Sequence, residues 1–162
     1  KINLNTCFKK GMELNFDFSF LCIPIDKYFD FKFGELPYRS IIFEECKEFN
    51  NDFPAPVINF TDNSPYTRKT QWSLLPNSGT PKNNFKTITY ERPCSMIENP
   101  NEYYYPVQTL LSRKMYEKYL KLSLKENNII FCGRTGLFKY IDMVPAVNIH
   151  KKIAYEFLKR IS

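Results

Sequence analysis

The sequence predicts an α+β fold: an antiparallel β-sheet of about four to six strands, a helix, and a C-terminal strand–loop–helix. Three observations carry this. Short β-rich runs follow one another between residues 38 and 91 with only turns between them. That pattern favours antiparallel neighbours over βαβ crossovers. At Thr109 the apolar period changes from two to about 3.6. Finally, the apolar run Ile129-Ile130-Phe131 leads through Cys132-Gly133-Arg134-Thr135-Gly136 to Asp142, where a second helical pattern begins. A strand that breaks at a glycine and enters a helix at an aspartate reads as a β-loop-α connection with an N-cap, and equally as an anion or cofactor edge.

The elements follow in order. Residues 1–16 are polar and weakly patterned. Phe18 to Ile25 is continuously apolar and reads as a buried strand stopped by Pro24. Tyr38 to Glu44 alternates, with Tyr38, Ser40 and Ile42 on one face and Arg39, Ile41 and Phe43 on the other. Val57 to Phe60, Tyr66 to Leu74 and Phe85 to Glu91 read as three further strands. Asn77-Ser78-Gly79-Thr80-Pro81 reads as a turn and Pro93 to Asn101 as a loop. Thr109 to Glu126 reads as a helix with Leu111, Met115, Tyr119 and Leu122 on one face. Ile129 to Gly133 is the last strand. The final helix spaces Ala146, Ile149, Ile153, Phe157 and Ile161 by three or four residues, with Pro145 tolerated in its first turn.

With 162 residues, 43% of them hydrophobic and 17% aromatic, the chain can bury the core of one domain. Its formal charge is +6. The lysines are scattered, which argues against a nucleic-acid stripe and suits a phosphate-bearing ligand. Cys7, Cys22, Cys46, Cys94 and Cys132 are odd in number and lack Cys-x-x-Cys spacing. They fit a reducing cytoplasm, with Cys22 and Cys132 expected as buried thiols. His150 is the only histidine, so no metal set is expected, and the sequence offers no nucleophile elbow for a Ser-His-Asp site. Phe18 to Ile25 is too short to insert across a membrane.

Several short pieces are collinear with one known family. They are Pro24-Ile25-Asp26-Lys27-Tyr28-Phe29-Asp30, Phe33-Gly34-Glu35-Leu36-Pro37-Tyr38-Arg39-Ser40, Val57-Ile58-Asn59-Phe60-Thr61-Asp62, Pro65-Tyr66-Thr67-Arg68, Glu91-Arg92-Pro93 and Tyr104-Tyr105-Pro106-Val107. The stretch Phe131-Cys132-Gly133-Arg134 to Tyr140-Ile141-Asp142-Met143 closes the set. Together they resemble the C-terminal part of the UDP-galactopyranose mutases. The resemblance implies one mutase-like C-terminal domain over 1–162. In it, 1–30 and 128–162 belong to a FAD-binding domain, and 36–127 to an antiparallel-sheet substrate domain with its helix.

The resemblance assigns substrate contacts to Arg68, Tyr105, Tyr140 and Asp142, and cofactor contacts to Gly133, Arg134, Met143, Arg39 and Glu91. A guanidinium fork matches phosphate oxygens, and a tyrosine delivers a rigid donor without a second full charge. On spacing alone Arg68 reads as a solvated strand residue, Asp142 as a pure N-cap, and Arg39 with Glu91 as an ion pair across strands. The chain departs from the family at Cys22-Ile23-Pro24, where a glycine usually precedes the proline, and at Lys69-Thr70-Gln71-Trp72.

The implied activity is that of an isomerase interconverting pyranose and furanose forms of a UDP-sugar for galactofuranose-containing cell-surface polysaccharide. Reduced FAD carries the chemistry there, with flavin N5 as the nucleophile, so no catalytic side chain is expected in these residues. The alternative is a mutase-derived binding or interaction domain without catalysis. No Gly-x-Gly-x-x-Gly fingerprint occurs among the five glycines. These residues alone are therefore expected not to complete a FAD site, and the isolated chain is expected to be colourless. The expected partner is a UDP-sugar, with no nucleic acid and no membrane insertion, in a cytoplasmic protein that self-associates as a homo-oligomer.

Overall fold

The computed structural model describes residues 1–49, 53–78 and 85–161. The chain forms two compact units, Lys1–Pro37 with Tyr105–Ser162, and Tyr38–Tyr104.

The second unit is an antiparallel sheet. Its strands are β2 (Tyr38–Phe49), β3 (Val57–Asn59), β4 (Arg68–Gln71) and β5 (Phe85–Ser95), in the spatial order β3-β4-β5-β2. The predicted antiparallel sheet is thus present. Strands β2 and β5 pair over eleven residues, from Arg39 opposite Ser95 to Phe49 opposite Phe85. Tyr38, Ser40 and Ile88 are buried while Arg39 and Phe43 face solvent, but Ile41 is buried on the Arg39 face as well, so alternation holds only in part. Burying Ile88 contributes about 1.5–3 kcal/mol. The Gln71 side chain is also fully buried; its Oε1 accepts the Phe53 N–H at 3.0 Å and its Nε2 donates to Ser73 Oγ at 3.0 Å. Buried polar atoms require such partners.

Several strand boundaries differ from the sequence reading: β2 runs past Glu44 to Phe49, β3 ends at Asn59 and β4 begins at Arg68. Strand β4 stops at Gln71, and Trp72–Leu74 forms a 3₁₀ turn in which Trp72 Nε1 donates to Thr89 Oγ1 at 2.6 Å. Strand β5 continues through Pro93 to Ser95, where the sequence predicts a loop. Pairing with β4 ends at Glu91, so β5 has no β4 partner at Pro93. A residue without an N–H is tolerated at such an edge position. The Gly79–Pro81 part of the predicted turn lies outside the described residues.

The first unit combines a parallel pair with helices. Strands β1 (Ser19–Leu21) and β7 (Ile129–Phe131) pair in parallel, Leu21 opposite Phe131. Helix α1 (Ile25–Tyr28) follows Pro24, so Ile25 begins a helix rather than ending a strand. Proline fixes φ where a first turn can use it. The short strand β6 (Tyr105–Pro106) precedes α2 (Leu110–Ser123), while α3 (Gly133–Gly136) and α4 (Met143–Ile161) follow β7. Gly133 therefore opens a one-turn helix, not the end of a strand. Its φ of +72° is a left-handed conformation that glycine adopts without strain.

Helix α2 starts at a capping box. Thr109 Oγ1 accepts the Ser112 N–H at 3.1 Å, and Ser112 Oγ accepts the Thr109 N–H at 2.8 Å. The Ser112 hydroxyl also donates to the Val107 carbonyl at 2.8 Å. Ser112 is buried and Leu111 is 78% exposed. The inward face therefore runs Ser112, Met115, Tyr116 and Tyr119, rotated from the predicted Leu111 face. Tyr119 is fully buried. Its hydroxyl donates to the Gly34 carbonyl at 2.7 Å and accepts the Phe33 N–H at 2.8 Å.

An aromatic core surrounds β7. Tyr28 meets Phe29 edge-on at 4.9 Å and Phe131 at 5.3 Å between ring centroids. Helix α4 half-buries Ala146, Ile149, Ile153 and Phe157 as its spacing predicts, but Ile161 is exposed. Phe157 packs on Phe18 at 4.4 Å and on Phe20 at 5.2 Å. Cys132 is a buried thiol as expected, whereas Cys22 is exposed. No helix among the described residues is long and apolar enough to cross a membrane. Among them, no group of three or more His, Cys, Asp or Glu residues is placed to hold a metal ion.

Candidate functional site

In the first unit the C-terminal stretch forms a cluster. The Arg134 Nε donates to the Ile141 carbonyl at 2.9 Å, which folds its guanidinium back over Tyr140, 4.8 Å from the ring centroid. The Tyr140 hydroxyl donates to Asp142 Oδ1 at 2.9 Å. The Tyr105 ring lies 5.0 Å from that of Tyr140 at an interplanar angle of 58°. Tyr105, Arg134, Tyr140 and Asp142 therefore meet, although 29 residues separate Tyr105 from Arg134 in the chain.

The loop that carries them is pinned from below. Phe138 is buried and adopts a left-handed φ of 44°. Gln108 Nε2 donates to its carbonyl at 2.7 Å, and Tyr116 stacks on its ring at 5.7 Å. An outlying backbone angle at a phenylalanine persists only where surrounding contacts hold it. Tyr140 remains 48% exposed. The hydrogen bond to Asp142 holds its phenol above the usual tyrosine range, the charge of Asp142 adding to the effect. Tyr140 is accordingly a neutral donor at physiological pH.

Asp142 holds the N-cap position of α4, its carbonyl accepting the Ala146 N–H at 2.8 Å. Its carboxylate accepts the Tyr140 hydroxyl. Met143 is 85% exposed at the helix start. Gly133 is held by a residue outside the predicted set. Its N–H donates to His150 Nε2 at 2.8 Å, and His150 Nδ1 lies 2.6 Å from the Ala146 carbonyl. A carbonyl only accepts, so the proton sits on Nδ1 and Nε2 is the acceptor. The spacing of Ala146 and His150, one helical turn apart on the inward face, was the available signal.

Arg68, Glu91 and Arg39 lie in the second unit. Arg68 stands opposite Glu91 on β5 and Asn59 on β3. Its Nε donates to Asn59 Oδ1 at 3.0 Å and its Nη1 lies 3.8 Å from Glu91 Oε1. Glu91 does not pair with Arg39: on β2 it faces Phe43, and Arg39 faces Ser95. Arg92 links Glu44 at 3.3 Å and Glu98 at 2.8 Å, and the Tyr66 hydroxyl donates to Glu44 at 2.7 Å. Those contacts, Tyr66 first, hold the Glu44 carboxyl below its usual range.

A profile of the UDP-galactopyranose mutase family matches residues 1–140. The chain is 36% identical over 142 residues to a UDP-galactopyranose mutase of Mycoplasma genitalium, covering 85% of this chain and 35% of the relative. It is 30% identical over 140 residues to a probable UDP-galactopyranose mutase of Klebsiella pneumoniae, covering 86% and 36%. It is 28% identical over 161 residues to a dTDP-fucopyranose mutase of Escherichia coli, covering 98% and 42%. It thus spans about a third of the length of the UDP-galactopyranose mutases it matches. The family profile over residues 1–140, together with 36% identity across 85% of the chain to a named family member, places this chain in the UDP-galactopyranose mutase family.

Proposed function

We propose that the chain is the C-terminal portion of a flavin-dependent mutase that interconverts the pyranose and furanose forms of a nucleotide-sugar, UDP-galactose first. The observation that carries this is the Tyr105–Arg134–Tyr140–Asp142 cluster. The Tyr105 and Tyr140 phenols match the neutral donors that a substrate diphosphate needs, with the Arg134 guanidinium beside them on the cofactor side. Arg68 on β4 is the further guanidinium that we assign to the diphosphate, and Arg39 on β2 and Glu91 on β5 are charged positions that we assign to the cofactor. Donors that hold the leaving diphosphate bind substrate and also stabilise charge as it develops.

The residues fit a flavin dinucleotide. Parallel strands β1 and β7 end at the Gly133–Gly136 turn, and ligands of open parallel sheets bind at such carboxyl ends. Arg134 is exposed at that edge, as is Met143. The Gly133 N–H is committed to His150, which leaves Arg134 as the contact to the cofactor. Reduced FAD, when bound, supplies the nucleophile for the anomeric carbon. We place the protein in the cytoplasm, as a homo-oligomer that serves cell-surface polysaccharide synthesis.

The test is turnover of UDP-galactofuranose by the natural full-length protein with reduced flavin. Conversion to the pyranose is expected. A flavin-loaded protein that turns over neither UDP- nor dTDP-linked sugars would favour the non-catalytic binding domain.

A further inference from the structure

The register that pairs β1 with β7 brings two cysteines together just past the ladder. Leu21 faces Phe131, so Cys22 and Cys132 are the next cross-strand neighbours. The Cys132 N–H donates to the Leu21 carbonyl at 3.0 Å, and the two Sγ atoms lie 3.2 Å apart. Both are thiols; Cys22 is exposed and Cys132 buried. Gly133 leaves the pair room to move, since a side chain there would set its Cβ 3.3 Å from Cys22 Sγ. Among the described residues, Cys7, Cys46 and Cys94 have no such sulfur neighbour.

We propose that Cys22 and Cys132 form a thiol–disulfide exchange site whose reagents are small disulfides of the glutathione class. Sulfur atoms in a disulfide stand about 2.05 Å apart, so a shift of about 1 Å closes the pair. Exposure divides the roles. The Cys22 thiolate attacks one sulfur of the small disulfide; that bond breaks, and the first small thiolate leaves and takes a proton from water. Burial, with the neighbouring Cys22 sulfur adding to it, pushes the Cys132 thiol up and keeps it protonated until this moment. Cys132 then attacks Cys22 sulfur, and its proton passes to the departing second thiolate. Two protein thiols become one disulfide, and one small disulfide becomes two thiols.

The test is independent of the mutase reading, because it is read by mass rather than by turnover. The reduced full-length protein is incubated with oxidised glutathione, alkylated, and digested without reductant. A linked peptide joining Cys22 and Cys132 is expected, and it is lost on reduction and in both Cys22→Ser and Cys132→Ser. Cys132→Ser should instead accumulate a glutathione adduct at Cys22 that the unaltered protein does not retain. Recovery of the two cysteines separately alkylated from the unaltered protein overturns the proposal. So does a lasting Cys22 adduct in that protein, since it shows that Cys132 does not resolve it. Cys22 is exposed, so Cys22→Ser keeps the test open even where Cys132→Ser disturbs folding.

Discussion

Tyr140 donates its hydroxyl to Asp142 across one intervening residue, at 2.9 Å. The carboxylate holds the phenol protonated above the usual tyrosine range. A raised folded-state value means that the contact contributes fully below the ordinary tyrosine range. Its contribution is lost as pH climbs through the folded value, so it is intact at neutral pH. Asp142→Asn should move the Tyr140 titration down towards the ordinary tyrosine value of about 10. Ultraviolet titration of the two proteins checks this, and an unmoved curve rules out the coupling.

Tyr140→Phe separates the hydroxyl from the ring. The ring contacts with Arg134 and Tyr105 remain, and the donor goes. A lost hydrogen bond to a charged group is worth about 1.5–3 kcal/mol, so nucleotide-sugar affinity or turnover of the full-length protein should fall roughly tenfold or more. Isothermal titration with UDP-galactose reads the affinity. An unchanged constant removes Tyr140 from the diphosphate site.

Arg68→Ala tests two roles at once. Its side chain is 44% exposed and 3.8 Å from Glu91, and a surface pair of that kind is worth about 0–1 kcal/mol. Denaturant unfolding should therefore shift little. Loss of a charge-assisted phosphate contact should lower UDP-sugar affinity about tenfold or more. If the stability falls and the affinity does not, Arg68 is a sheet residue only.

Gly136→Ala should weaken the first unit. The new Cβ would meet the Leu21 carbonyl oxygen at 2.9 Å and the Phe131 carbonyl carbon at 3.4 Å. Both are backbone atoms of the parallel pair and have little room to give. Overpacking of this kind costs about 1–3 kcal/mol, read as an earlier urea midpoint.

His150→Ala removes the acceptor of the Gly133 N–H. An unsatisfied, partly buried N–H costs about 1–3 kcal/mol. Amide hydrogen exchange at Gly133 should accelerate more than in the neighbouring β7 strand. Equal protection with and without His150 would show that the turn holds itself.

The sequence by itself determined the elements whose signal is local. The alternation from Tyr38, the 3.6 period of α2 and α4, and Pro145 in a first turn each follow from residues a few positions apart. The Arg134–Asp142 stretch stood out through the family resemblance rather than a local period, and nine consecutive residues carry three of the four clustered side chains. Tertiary structure decided what depends on distant partners. The parallel pairing of β1 with β7 joins segments about 110 residues apart, and it alone aligns Cys22 with Cys132. The inward face of α2 turned to Ser112 because a capping hydroxyl found the Val107 carbonyl. Pro93 stayed in β5 because β4 ends its pairing at Glu91. The partner of Glu91 became Arg68 because register, not charge, selects cross-strand neighbours. Propensity and period act within a turn or a pleat, whereas register and burial are set by the chain that arrives from elsewhere.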